Sequence, residues 1–167
     1  MTDTTDQIKQ INARYDGLED RILLSITTEQ NRLLEAWLSR RFLKLLIPAL
    51  QGKHPLENKP LLSDTQQAIQ EMQQLQAQQE SDFDTTFDIP AEPIKVFDKP
   101  ILITQLTLKD MDSDHPQLLL LPQTGEGLVF NFHPNITGNL LKLLKAIHPQ
   151  TEWGLEFPQY TAPTNIQ

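Results

Sequence analysis

The side chains best suited to chemistry in this chain are arginines and aromatics gathered in its first 41 positions. Two runs carry them, Tyr15-Asp16-Gly17-Leu18-Glu19-Asp20-Arg21 and Trp37-Leu38-Ser39-Arg40-Arg41. A guanidinium is a planar fork that grips a carboxylate or a phosphate through two parallel N–H bonds. Arg40 and Arg41 follow Ser39, a good helix N-cap, so they stand where free backbone N–H groups also attract anions. Arg21, Arg40, Arg41 and Trp37 are therefore the candidate anion- or partner-binding residues. The competing reading is structural: Glu19 and Asp20 pair with Arg40 or Arg41 across a sheet.

Other motifs carry less. Asp110-Met111-Asp112-Ser113-Asp114 has the alternating oxygens of a calcium loop. The glycine such a loop needs is His115, however, and its closing glutamate is Leu121, so the run reads as an acidic turn. All four histidines (His54, His115, His133, His148) precede prolines. They fall in separate loops or at element ends, and no two share a helix face as metal ligands would. Gly125 and Gly127 lie between two strands rather than before a helix, which is the wrong place for a phosphate cradle. With no cysteine, disulfides, thiolate nucleophiles and cysteine-based zinc sites are excluded. No spacing selects an acid/base pair of carboxylates. No metal and no cofactor is expected.

The charge is unevenly placed. Of 167 residues, the first 50 hold seven acids and seven Lys/Arg, and the rest hold fifteen acids against seven, so the formal charge of −8 lies after residue 50. An acidic chain repels phosphate backbones at long range, although a local arginine face acts at short range. The polar, acidic start lacks the basic and apolar regions of a secretory signal. No apolar run approaches the length of a membrane span. The expectation is a cytoplasmic protein with no membrane contact.

These residues need elements to place them. Alternation at Ile11, Ala13 and Tyr15, the Asp16-Gly17 turn, and alternation at Ile22, Leu24 and Ile26 predict a hairpin. The stretch 28–50 has two readings: a turn at Glu29-Gln30-Asn31, a strand through Leu33–Leu38 and a helix from Ser39, or one long helix. The hairpin reading is favoured. Pro48 should kink or end the helix and Gly52 stop it. After a loop over 51–62, Ser63 and Gln66 match a capping box. A helix over Asp64–Glu80 follows, with eight glutamines and a narrow apolar stripe of Ala68, Ile69, Met72 and Leu75, extended by Phe83. So polar a helix must lean that stripe on a neighbour or a second subunit. Residues 81–100 read as an acidic connector. Beyond it come a strand from Ile101 through Leu108, a strand at Leu118–Leu121, a hairpin loop at Thr124–Gly127, a strand at Leu128–Phe132, a helix over Asn139–Ile147 ended by His148-Pro149, and a last strand at Trp153–Phe157.

The fold class is thus α+β: antiparallel strands with packed helices, in one domain over 1–157. It divides into a first strand/helix unit (8–50), the Gln-rich helix (63–80), the connector (81–100), a second unit (101–157) and a loose tail (158–167). Phe42-Leu43-Lys44-Leu45-Leu46 and Leu140-Leu141-Lys142-Leu143-Leu144 both follow strands and begin helices. Diverged duplication and chance likeness of Leu-rich helices both account for this.

The pattern Y-D-x-x-E-D-R followed by W-L-S-R-R-F, over about residues 15–50, resembles a small uncharacterised bacterial protein family. The resemblance implies the hairpin reading and no particular activity. In outline, a strand-rich unit ending in a helix and used twice is similar to the PUR-repeat and Whirly single-strand-binding folds, which is an analogy of topology alone. Three functions are weighed. The leading one is a non-catalytic protein–protein interaction or assembly protein, with a homodimer as one form. The second is single-stranded nucleic-acid binding through the arginine-bearing half. The third is a carboxylate- or metal-dependent enzyme, which would need several acids converging in a polar cleft.

Overall fold

The computed structural model describes residues 7–54, 64–80, 89 and 91–157. The fold is α+β, with mostly antiparallel strands packed on helices. The strand–strand–strand–helix order occurs twice. First come β1 (Ile8–Asp16), β2 (Arg21–Thr28), β3 (Arg32–Leu38) and α1 (Arg40–Leu50). After α2 (Asp64–Glu80) and two short strands, β4 (Ile94–Lys95) and β5 (Ile101–Leu102), come β6 (Gln105–Lys109), β7 (Gln117–Leu121), β8 (Leu128–Asn131) and α3 (Pro134–Thr151).

Stretch 28–50 takes the hairpin form. Asn31 accepts the left-handed backbone (φ 65°) that the β2–β3 turn requires, and its N–H donates to the Thr28 carbonyl. Asn is among the few residues that tolerate this conformation. β3 then pairs antiparallel with β2 from Thr27↔Leu33 to Ile22↔Leu38. Ser39 caps α1, its hydroxyl accepting the Phe42 N–H at 3.1 Å. Pro48 sits in the last turn, and Gly52 (φ 76°) closes the helix with N–H groups of Gly52 and Lys53 on the Ala49 and Pro48 carbonyls.

The connector does more than cross a surface. In its described part β4, and just beyond it β5, add to β3 in parallel, so the first sheet runs β1-β2-β3 with two short pieces on its far edge. The strand expected from Ile101 through Leu108 is two strands in two sheets. The Ile103 N–H donates to the Trp37 carbonyl of the first sheet, and the next N–H, of Thr104, donates to Leu121 of the second. Successive amides of an extended chain point to opposite sides, so one residue suffices for the change of sheet. The second sheet, β6-β7-β8, is antiparallel throughout.

One apolar cluster joins both sheets and the two leucine-rich helices. It takes Ile22, Leu24, Ile26, Leu34, Ala36 and Leu38 from the first sheet, Leu118, Leu120, Leu128 and Phe130 from the second, and Phe42, Leu46, Leu140 and Leu144 from α1 and α3. Period-two alternation supplies the strand residues and helical spacing the rest.

α3 begins earlier and ends later than expected. Pro134 occupies its first turn, where a missing N–H costs nothing, and the His133 Nδ1 caps it by accepting the Asn135 N–H at 3.1 Å. Pro149 lies in the last turn, and the helix ends only where Glu152 turns left-handed (φ 57°). Residues 153–157 form no strand. Trp153 is buried in the core cluster, with Leu155 and Phe157 packed against it.

For α2, whose stripe is expected to lean on a neighbour or a second subunit, the described residues supply no neighbour for Ile69 and Met72. Ile69 is 49% and Met72 71% exposed, whereas Gln70 and Gln74 are 8% and 1% exposed. The helix is docked glutamine side inward. The Gln74 Nε2 donates to the Leu50 carbonyl at 2.7 Å and to the Thr137 hydroxyl at 2.8 Å. Gln67 donates to the Gln51 carbonyl at 2.8 Å, and the Lys142 ammonium donates to the Gln78 carbonyl. Burial lowers the Lys142 pKa from its ordinary value. The seam is close as well as polar: a Cβ on Gly138 of α3 would lie 2.9 Å from the Gln74 carbonyl oxygen and 3.1 Å from its Cα. Phe83, Ser63 and the tail 158–167 lie outside the described residues.

Candidate partner-binding site

Strand parity separates the predicted site residues. In β3, Leu34, Ala36 and Leu38 point into the core, so Trp37 points to the sheet's other face. In β2, Ile22, Leu24 and Ile26 point inward, so Arg21 shares the outer face with Trp37. The two meet there: the Arg21 guanidinium carbon lies 3.8 Å from the centre of the Trp37 ring, a cation–π contact. Arg21 also pairs with Glu19, and the Arg21 Nε is buried without a hydrogen-bond partner. Register then sets a row across the outer face, Arg14–Leu23–Trp37–Leu102, from β1 to β5. Arg14 is exposed and Leu102 is 47% exposed. Among the described residues Arg14 makes no ion pair.

Arg40 belongs to a different cluster, on the core side of the sheet. Tyr15, whose parity points it inward, donates its hydroxyl to Asp20 Oδ1 at 2.5 Å. The Trp153 indole N–H donates to the same oxygen at 2.8 Å. The Tyr15 and Trp153 rings meet edge to face, 5.9 Å between centres and 86° between planes. The Arg40 Nε donates to the Trp153 carbonyl at 3.2 Å. The two N–H and O–H donors, Tyr15 first and Trp153 second, hold the Asp20 carboxyl below its ordinary pKa, and nearby Arg40 adds to this. The same bond to Asp20 pushes the Tyr15 phenol up to about 12. This cluster ties the β1–β2 turn to the end of α3.

The expected pairing of Glu19 and Asp20 with Arg40 and Arg41 is replaced by this arrangement. Glu19 reaches Arg21, two residues away, and Asp20 is taken by Tyr15 and Trp153. Asp20 has φ 56°, which turns its side chain back over the hairpin end. Arg41 is exposed beside Arg40 in the first turn of α1 and does not join either cluster. Sequence reasoning missed Tyr15 and Trp153 as partners of Asp20: the Trp153 contact spans 133 residues, and the Tyr15 contact spans five, across the β1–β2 turn. It also missed Arg14 and Leu102. The period-two register was the available signal for Arg14, since Arg14 and Trp37 flank the same β2 residue, Leu23.

Large apolar side chains are also exposed at the β3 edge. Among the described residues, eight are exposed; of these Ile94, Val96 and Leu102 lie where 94–96 and 101–102 meet the β3 edge, Leu102 opposite Trp37 on the outer face and Ile94 opposite Arg32 with the parity of the core side. Ile94 is 57% exposed. Two grooves lie elsewhere, flanking residues 154–157. One, of about 590 Å³, is lined by Lys145, His148 and Phe157, and the other, of about 540 Å³, by Lys44, Lys53 and Gly154. Both include Glu156. Among the described residues no three His, Asp or Glu side chains come together as a metal site would need. No helix there is long and apolar enough to cross a membrane.

Comparison with known proteins leaves the reading to this geometry. No family model, curated protein or solved structure matches the chain.

Proposed function

We propose that this is a non-catalytic interaction protein whose partner surface is the β4–β5 edge of the first sheet together with the row Arg14–Trp37–Leu102. The observation that carries the reading is that Leu102 is exposed opposite Trp37 on the outer face, while Ile94 and Val96 are exposed where 94–96 meets the same β3 edge. Clustered exposed apolar side chains mark interaction sites, and Trp with Arg is the pairing that dominates interface energetics. Among the described residues no further strand pairs with β4 or β5, and such an edge offers backbone donors and acceptors to a partner.

The partner is a protein that sets a carboxylate beside an apolar group. The outer face offers Arg14, Arg21 and Lys95 against Glu35 and Asp16. Arg21 is occupied by Glu19, and Asp16 by its own turn, accepting the Leu18 and Glu19 N–H groups. Arg14 and Lys95 are left to seek anions. A single-stranded nucleic acid would use the same arginines and the Trp37 ring, but it must approach a chain of charge −8, with Arg21 already neutralised.

The test places a photo-crosslinking residue at Leu102, and a control at exposed Thr107, in cells making the whole chain. A discrete protein adduct at 102, absent at 107 and weakened by Arg14→Glu, is the expected result. Equal adducts at both positions, or none, refute the reading. Salt-sensitive binding of a single-stranded oligonucleotide that Arg14→Glu abolishes would replace it with the nucleic-acid reading.

A further inference from the structure

We infer that α2 is a self-association element and that its outward face is covered by α2 of a second copy of this chain. The inference is independent of the sheet-edge reading and rests on the way α2 is docked. Its glutamine side is buried against α1 and α3, and its exposed apolar residues, Ile69 and Met72, face away from the core.

Three features select a second copy as the occupant. First, the outward residues fall on a heptad seam. Thr65, Ile69, Met72, Gln76 and Gln79 are all exposed and follow the 4-3-4-3 spacing of a helix pair. Second, the seam is free of charge in an acidic chain. Between Thr65 and Gln79 the one charged residue is Glu71, which lies around the helix from the seam. A charged partner finds nothing there to pair with, and two copies meet without repulsion across it. Third, the polar members are mostly amides. A primary amide both donates and accepts, so it complements its own copy across a two-fold axis, as an isologous contact requires.

The size of the face sets the strength. α2 has 17 residues, about 26 Å of helix. Two such helices packed along their length enclose less than the roughly 1,200 Å² of a standard interface. The dimer is therefore weak and concentration-dependent. Met72 is the middle of the five seam residues, so in both the parallel and the antiparallel pairing it faces its own copy.

Sedimentation equilibrium of the full chain over a concentration series tests this. The wild type should pass from monomer to dimer, and Met72→Glu should weaken association at least tenfold while keeping the same far-UV circular dichroism. Because the chain has no cysteine, Met72→Cys should form a disulfide-linked dimer on mild oxidation, and Leu18→Cys, at the exposed β1–β2 turn, should not. If Met72→Glu unfolds the chain, Met72→Gln replaces it and should still weaken the dimer. A wild type that stays monomeric throughout, or a dimer that both substitutions leave intact, overturns the inference. Crosslinking from Leu102 should be unchanged in Met72→Glu, so failure of one surface is distinguishable from failure of the other.

Discussion

Replacing Gln74 by alanine tests the glutamine-inward docking of α2 directly. The side chain is almost fully buried and donates to the Leu50 carbonyl and the Thr137 hydroxyl. Each such bond contributes about 1 kcal/mol net, and a buried carbonyl left without its donor costs about 1–3 kcal/mol. Thr137 keeps a second bond, donating to the His133 carbonyl at 3.2 Å, so the penalty falls mainly on Leu50. Together these give a loss of about 3 kcal/mol. For a chain of this size that lowers the melting temperature by about 6–12 °C.

The contrasting substitutions are Ile69→Ala and Met72→Ala. As exposed residues they should change stability by less than about 0.5 kcal/mol. If the helix were rolled to bury its apolar stripe, each would instead cost about 2–5 kcal/mol. Urea unfolding followed by circular dichroism, at protein concentrations below the dimer range, measures all three. A cheap Gln74→Ala combined with costly Ile69→Ala and Met72→Ala would refute the docking described here and the dimer inferred from it.

Four further outcomes follow from the same structure. Gly138→Ala should destabilise by about 1–3 kcal/mol in urea unfolding, because the added methyl meets the backbone of Gln74, which has no rotamer with which to yield. Ser39→Ala should cost about 1 kcal/mol through loss of the α1 cap. The Tyr15 phenol should ionise near 12, and Asp20→Asn should bring it down toward its ordinary 10.0, read by tyrosinate absorbance. The Tyr15–Asp20 bond also sets two limits on stability against pH. The unfolded tyrosine ionises first on raising pH, so stability should fall between about pH 10 and 12. The folded Asp20 holds its charge below 3.8, so its contribution is present above that value and is lost as pH falls through its lowered folded value. Melts of the wild type and Asp20→Asn across both ranges check the two limits.

The sequence was most legible where one local signal decided the outcome. Asp16-Gly17 and Asn31 mark two turns, and the alternation between them makes β1, β2 and β3 readable as a meander. Ser39 caps α1 directly, and Gly52 follows its last residue by two. It was least legible where a distant partner decided. Nothing near Ile101 shows that this stretch joins β3, 65 positions earlier in the Ala36↔Ile101 pair, before Thr104 crosses to the second sheet. Prolines misled at α3: His133-Pro134 looked like a loop and His148-Pro149 like a stop, yet Pro is tolerated in the first turn, and here in the last. For the site, Arg21 and Trp37 were readable as chemistry but not as neighbours, because neighbourhood depends on register.

The docking of α2 is the most instructive case, because, of the two supports its stripe calls for, a neighbour or a second subunit, the described residues do not provide the first for Ile69 and Met72. Ala68, Ile69, Met72 and Leu75 do form a stripe at helical spacing, and burying large apolar side chains is favourable by about 1.5–3 kcal/mol each. The amide side is buried instead because the site beneath α2 is polar. The Leu50 and Gln51 carbonyls at the end of α1 have no further helical turn to satisfy them, and Thr137 presents a hydroxyl. An apolar stripe laid there would leave those groups unpaired, whereas Gln67 and Gln74 satisfy them. Gly138 then allows the Gln74 backbone to approach. The helix thus solves a capping problem with its glutamines, and it does so by turning Ile69 and Met72 outward, 49% and 71% exposed.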